Sequence, residues 1–205
     1  MAGDNSKKRD APEDADPQEF EHNKVKKVAA EEKKDDDNDE DKQSLSPTTT
    51  TLLDDLSSRF PSLPFNENSS IPFLGLYFAA SWCPDVQAAT PAVEEFAAAN
   101  KHFITIVYVA SDSTKEEMKN YLPSCMAAVP FENKDERANL KRHYGACAGK
   151  ERESLGMMPE ERNFGIPTLI VLDQTTGKVV TSEGVDDIVK SNGESVIEKW
   201  KAMIK

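Results

Sequence analysis

Cys83, flanked by Trp82 and Pro84, is the residue of this chain best suited to chemistry, and that chemistry is the chemistry of a nucleophilic thiol. A continuous apolar run from Ile71 to Ala80 ends just before it, and the alanine-rich stretch Val86 to Asn100 follows, so the cysteine falls at a strand-to-helix junction. There the first helical amides lack partners and the positive end of the helix dipole faces the sulfur, an arrangement that favours thiolate. Pro84 suits the first helical turn, where a missing N–H costs nothing. Trp82, in an exposed turn beside the cysteine, is suited to shield it. Asp85 works against the thiolate, because a carboxylate close to sulfur disfavours a second negative charge.

The elements around that junction can be read from periodicity. Leu52, Leu53, Leu56 and Phe60 have helical spacing and stop at Pro61; Pro64, Asn66, Asn68, Ser69 and Ser70 then make a loop. The run through Ala80 predicts a strand buried on both faces, and Val86 to Asn100 a helix bent at Pro91. Phe103 to Ala110, rich in β-branched residues, predicts a second strand joined to the first by a parallel crossover. A helix opens at Ser113 or Thr114 and reaches Tyr121; Ala128 to Phe131 is a short strand, and Lys134 to Tyr144 is a helix closed by Gly145. Ala146 to Gly165 is a long charged connection with a Glu-rich turn, and connections of that length in a compact domain are usually functional or irregular. Thr168 to Leu172 and Lys178 to Thr181 form a hairpin, and Ser195 to Ile204 is an amphipathic helix. The expected architecture is α/β, a mixed central sheet flanked by helices on both faces. Phe73, Phe78, Phe96, Phe103 and Trp200 are its expected core aromatics, and Met118, Met126, Met157 and Met158 its gap-fillers.

Composition divides the chain at about Thr51. Residues 1–50 carry 9 basic and 15 acidic groups with Phe20 as their one aromatic, which predicts a disordered charged tail, whereas 51–205 hold the residues of one domain. Two basic clusters in the tail, Lys7-Lys8-Arg9 and Lys24-Val25-Lys26-Lys27, loosely resemble a bipartite nuclear-import signal. A net charge of -12 without a basic face argues against direct nucleic-acid binding. The charged N-terminus reads as lacking a secretory signal, and no apolar run approaches the ~20 residues that span a bilayer, so no membrane association is expected. Cys83, Cys125 and Cys147 are an odd, sparse set that cannot be a disulfide framework and fits free thiols in a reducing compartment, cytoplasmic or nuclear. His143 and Cys147 are separated by the helix-ending Gly145, so no metal site is expected; no glycine-rich phosphate loop follows a strand, and Ser81 lacks a histidine partner.

Four segments, in order, resemble the thioredoxin superfamily and within it the tryparedoxin and nucleoredoxin branch. They are Leu76-Tyr77-Phe78-Ala79-Ala80-Ser81-Trp82-Cys83-Pro84, Ala128-Val129-Pro130-Phe131, Gly165-Ile166-Pro167-Thr168-Leu169-Ile170 and the hairpin Asp173 to Val180. The resemblance covers roughly residues 71–190 and implies a thioredoxin-like fold, reduction of protein disulfides and no bound cofactor. It also implies that Pro167 is a cis-proline and that the backbone at Ile166 is an edge on which an extended substrate docks beside Cys83. Two departures qualify it. The family's second cysteine is replaced, since the motif here reads Trp82-Cys83-Pro84-Asp85-Val86, so the dithiol cycle cannot run. The stretch Gly145 to Gly165 is longer than in the family and contains Cys147, which becomes a candidate displaced resolving thiol if its Cα lies within about 7 Å of that of Cys83.

Two functional classes follow. In the first, the chain is an atypical, monothiol thiol–disulfide oxidoreductase. Cys83 is then the nucleophile, Trp82 its lid, Pro84 a restraint on the helix start, and Ile166 with Pro167 the docking edge. Its partners are disulfide-containing proteins or low-molecular-weight thiols such as glutathione, and resolution comes from such a thiol or from Cys147. In the second, the chain is a redox-degenerate module that keeps the fold and binds proteins through the same edge. Peroxidase or sensor chemistry at Cys83 ranks below both, because no arginine and threonine arrangement for activating peroxide can be identified.

Overall fold

The computed structural model describes residues 51–66, 69–191 and 195–204. The expectations for the tail, its disorder and its import signal, lie outside the described residues. The chain runs α1 (Leu52–Arg59), β1 (Phe73–Ala79), α2 (Pro84–Ala99), β2 (Ile104–Ala110), α3 (Lys115–Tyr121), β3 (Ala127–Ala128), α4 (Lys134–Tyr144), β4 (Thr168–Asp173), β5 (Val179–Thr181), α5 (Gly184–Val189) and α6 (Val196–Met203). The five strands form one sheet in the order β3-β2-β1-β4-β5, with β1–β2 and β2–β3 parallel and β1–β4 and β4–β5 antiparallel.

Strand pleat decides which side chains meet which helices. Phe73, Tyr77 and Ala79 of β1 share one face with Ile104, Ile106 and Tyr108, and there they meet Val86 and Val93 of α2, Ile188 of α5 and Trp200 of α6. The alternate residues Leu74, Leu76 and Phe78 point to the other face, onto Leu56 and Phe60 near α1 and Leu140 and Tyr144 of α4. A strand covered on both faces must be apolar throughout, which is why all seven β1 residues are buried and why its sequence shows no alternation. Trp200 sits edge-on to Phe73 and Phe96 at 5.8 and 5.4 Å between ring centroids, and its indole N–H reaches Asp187 Oδ2 at 2.8 Å.

Local signals set the element ends. Thr51 and Thr114 each close a capping box, with Asp54 and Glu117 respectively. Helix α2 begins at Pro84 and continues through Pro91 to Ala99. Gly145 ends α4 in the left-handed region at φ 64°, and a Cβ there would meet Asn163 Nδ2 at 2.6 Å, so both backbone conformation and space call for glycine.

Three expectations need correction, and one helix lies where none was expected. The short strand is Ala127–Ala128 rather than Ala128 to Phe131, because its pairing with β2 extends only over Val107 and Tyr108. Helix α5 follows the hairpin unannounced; its six residues are too few for a clear apolar period, and its Ile188 is buried by α2 rather than by a stripe of its own. Phe103, just before β2, is 40% exposed with the Lys201 ammonium over its ring at 4.6 Å, and Met158 is 58% exposed, so neither belongs to the core.

Candidate functional site

The β1–β2 and β1–β4 ladders bring three chain segments to one edge of the sheet. Ala79 pairs with Ala110 at the carboxyl ends of the two parallel strands, which puts the turn Ala80 to Cys83 beside Ser111 and Asp112. Phe78 pairs with Thr168 at the start of β4, which delivers the Ile166–Pro167 peptide to the same place. That peptide bond is cis. In open α/β sheets this carboxyl edge is where ligands bind.

Cys83 is the N-cap of α2, with extended backbone (φ -88°, ψ 120°), and Pro84 occupies the first helical turn. The cysteine amide donates to Ala80 O at 3.1 Å, and the Gln87 amide donates to Cys83 O at 3.0 Å, so the turn and the helix start are both tied down. The thiol lies 3.9 Å from Ile166 O and the residue is 8% exposed. Val86, one turn along, is wholly buried in the core, and Asp85 faces solvent. A groove of about 380 Å³ opens beside Pro167 and is lined by Phe164, Leu169, Val185, Glu183 and Asp186 among others.

Two polar chains support this turn from behind. The Tyr77 hydroxyl bonds Thr90 Oγ1 at 2.9 Å, Tyr121 donates to the same oxygen, and Thr90 in turn donates to Val86 O at 2.7 Å. Burial pushes the Tyr77 phenol up to about 12, against the opposing effect of its bond to Thr90. In the second chain the Ser81 amide donates to Asp112 Oδ1 at 2.8 Å and Tyr108 donates to Oδ2 at 2.9 Å. Burial and then the Asp112 charge drive Tyr108 far above the ordinary phenol range. Both phenols therefore act as donors, and Asp112 holds the backbone just ahead of Trp82.

Trp82 is 37% exposed, and its indole N–H donates to Ser111 O at 3.1 Å. Ser111 Oγ donates to Glu151 Oε2 at 2.6 Å, and the buried Lys141 ammonium meets Glu151 Oε1 at 2.7 Å. Desolvation lowers the Lys141 pKa, with Glu151 opposing it. Lys150 places its ammonium 3.5 Å from the centroid of the Trp82 ring. The connection after α4 thus reaches the tryptophan directly. It closes on itself at the base, where the Phe164 and Asn163 amides donate to Gly145 O and the Cys147 amide to Phe164 O; it contains two short 3-10 turns, Gly149–Glu151 and Pro159–Glu161.

Cys147 lies in that base, fully buried, with its sulfur 3.9 Å from Met157 Sδ. Burial raises its thiol pKa, an effect that Arg162 partly offsets. The thiols of Cys83 and Cys147 are both free and face different partners, Ile166 O and Met157 Sδ. Cys125 is free and exposed, with its thiol 3.6 Å from Glu94 O. Trp82, Cys83, Pro84, Ile166 and Pro167 share one edge. The sequence reading overlooked Ser111, Asp112, Lys150 and Glu151. The first two carried a usable signal, since they directly follow a parallel strand at its carboxyl end; Lys150 and Glu151 sit in an irregular segment with none. Among the described residues no group of histidine, cysteine and carboxylate side chains is arranged to hold a metal ion, and no helix is long and apolar enough to cross a membrane.

The thioredoxin-like family model matches residues 73–179. Mouse (Mus musculus) nucleoredoxin is 33% identical over 125 residues, which is 58% of this chain and 24% of the relative. Tryparedoxin of Trypanosoma brucei brucei is 26% identical over 120 residues, 56% of this chain and 70% of the relative. The chain therefore spans about a quarter of the length of the nucleoredoxins it matches. Among solved structures, native tryparedoxin I from Crithidia fasciculata superposes with a TM-score of 0.50 at 23% identity, covering 68% of this chain and 94% of that one, a likeness of fold.

Proposed function

We propose that this chain, which belongs to the thioredoxin-like family and to its tryparedoxin and nucleoredoxin branch, is a thiol–disulfide oxidoreductase of monothiol form. The observation that carries the reading is the setting of Cys83: a sulfur at a helix N-cap, 3.9 Å from Ile166 O beside Pro167, with buried Val86 where a second thiol would stand.

The reaction follows from those groups. The Cys83 thiolate attacks one sulfur of a substrate disulfide; a Cys83–S–S–substrate bond forms, the original S–S bond breaks, and its electron pair leaves with the other sulfur as a thiolate. A small external thiolate such as that of glutathione then attacks the substrate sulfur, freeing the Cys83 thiolate and carrying the substrate away as a new mixed disulfide. Ile166 and Pro167 supply the edge for an extended substrate backbone, the groove beside them takes a flanking side chain, and Trp82 covers the adduct. Cys147 is the slower second candidate for resolution, because burial keeps its thiol protonated and Met157 covers it. Three free thiols suit a reducing compartment, cytoplasm or nucleus.

A second reading, a binding module without turnover, is favoured by the complete burial of the Val86 side chain and by the limited exposure of Cys83. Insulin-disulfide reduction driven by glutathione separates the two. Cys83→Ser is expected to bring turnover to background while Cys125→Ser retains it; equal turnover by Cys83→Ser and parent protein would eliminate the monothiol mechanism.

A further inference from the structure

Among the described lysines that make no ion pair, Lys150 is the one whose ammonium lies over an aromatic ring, and that ring adjoins the candidate thiol. Lys141, Lys115, Lys190 and Lys201 all pair with carboxylates, whereas Lys150 makes no ion pair among the described residues and rests instead on the face of Trp82, 3.5 Å from the ring centroid. What distinguishes it is its place, on the tryptophan that precedes the candidate thiol. Its position is not the drift of a loose surface chain. The adjoining Glu151 is anchored by Lys141, by Ser111 Oγ and by the Ala148 amide, and Ser111 also accepts from the Trp82 indole. The same anchor therefore orients both the tryptophan and the lysine above it. An aromatic face is a weak and exchangeable partner for an ammonium, and a carboxylate arriving beside it competes well.

We propose that Lys150 is a specificity-determining residue that selects small carboxylate-bearing thiols and disulfides of the glutathione class as exchange partners of Cys83. Trp82 and Cys83 are consecutive, so their Cα atoms are about 3.8 Å apart, and the ring that carries Lys150 belongs to the same turn as the thiol. The ammonium draws the partner's carboxylate toward Trp82, while the groove beside Pro167, rimmed by Glu183 and Asp186, disfavours a carboxylate there. The inference rests on the monothiol reading.

The test measures reduced Cys125→Ser protein by intact mass as it forms an adduct with oxidised glutathione or with the neutral 2-hydroxyethyl disulfide. In each case the Cys83 thiolate forms a bond to one sulfur and the displaced half leaves as a thiolate, so no other oxidant takes part. The readout is the ratio of the two rates, because any change in the intrinsic reactivity of Cys83 moves both together. Lys150→Met, which keeps the stem on the ring, is expected to lower the glutathione rate by about threefold to fivefold and the neutral rate by less than about twofold. Lys150→Arg should restore the ratio, and salt near 1 M should abolish the preference. An unchanged ratio in Lys150→Met overturns the role of Lys150 and leaves the monothiol reading standing. Absence of an adduct at Cys83 with either disulfide overturns both.

Discussion

Replacing Val86 with cysteine tests whether a missing second thiol is what restrains this site. Val86 lies in the first turn of α2, three residues after Cys83, and is fully buried. Its side chain packs in the core cluster that also contains Cys83 and Tyr77. The substitution keeps a compact apolar group and removes about one methyl's worth of packing, which corresponds to a cost of about 1 kcal/mol. For a domain of this size that loss lowers Tm by about 2–4 °C. The gain is kinetic. A thiol tethered in the same turn acts at an effective concentration of at least about millimolar, so with about 0.1 mM external thiol the internal route exceeds the external one by about tenfold or more. The assay is single-turnover release of substrate from the Cys83 mixed disulfide at several thiol concentrations. Val86→Cys should release substrate at a rate independent of thiol, leaving an intramolecular disulfide visible by mass; parent protein should release it in proportion to thiol. If Val86→Cys folds, forms the mixed disulfide and still releases substrate only in proportion to added thiol, then the second thiol is not what the site lacks, and the reasoning from the helix geometry fails.

Two other predictions concern the support of the site. Glu151→Ala strands the Lys141 ammonium, which is 4% exposed, and should cost about 3 kcal/mol by chemical denaturation; adding Lys141→Met should recover much of that loss, and no recovery would refute the pairing as the cause. Asp173 is buried at the hairpin; desolvation raises its carboxyl pKa, but the bonds it accepts from Thr175 and Thr176 outweigh that and hold it below the ordinary value. Its stabilising contribution is therefore complete above about pH 4 and is lost as pH falls through the lower folded-state value, so unfolding free energy measured against pH should decline less steeply on the acid side in Asp173→Asn. An identical acid slope in both proteins would refute it.

The order of elements was legible because each carries its own local physics. Strand β1 is an unbroken apolar run, as full burial demands, β2 is one but for half-buried Thr105, and α4 is bounded by acidic residues in its first turn and by Gly145. Trp82-Cys83-Pro84 was legible for the same reason, since a cysteine between a buried strand and a proline-started helix announces an N-cap thiol without reference to anything distant. Helix α5 and the true extent of β3 were not, because six residues and two residues are too short for periodicity to speak, and they owe their conformation to neighbours.

What the linear chain determined about this protein is thus the sheet's main strands, the flanking helices and one thiol with Val86 where its partner would be. What only the folded structure decided is the company that thiol keeps. Ile166 reaches Cys83 through the register of Phe78 with Thr168, and Ser111 and Asp112 arrive beside the turn through the pairing of Ala79 with Ala110. Lys150 and Glu151 reach Trp82 through a segment whose path is set by Lys141, Ser111 and the closure at Gly145. Contacts between residues tens of positions apart depend on ladder register and on where buried charges find partners, and those are properties of the assembled sheet that no local stretch of sequence contains.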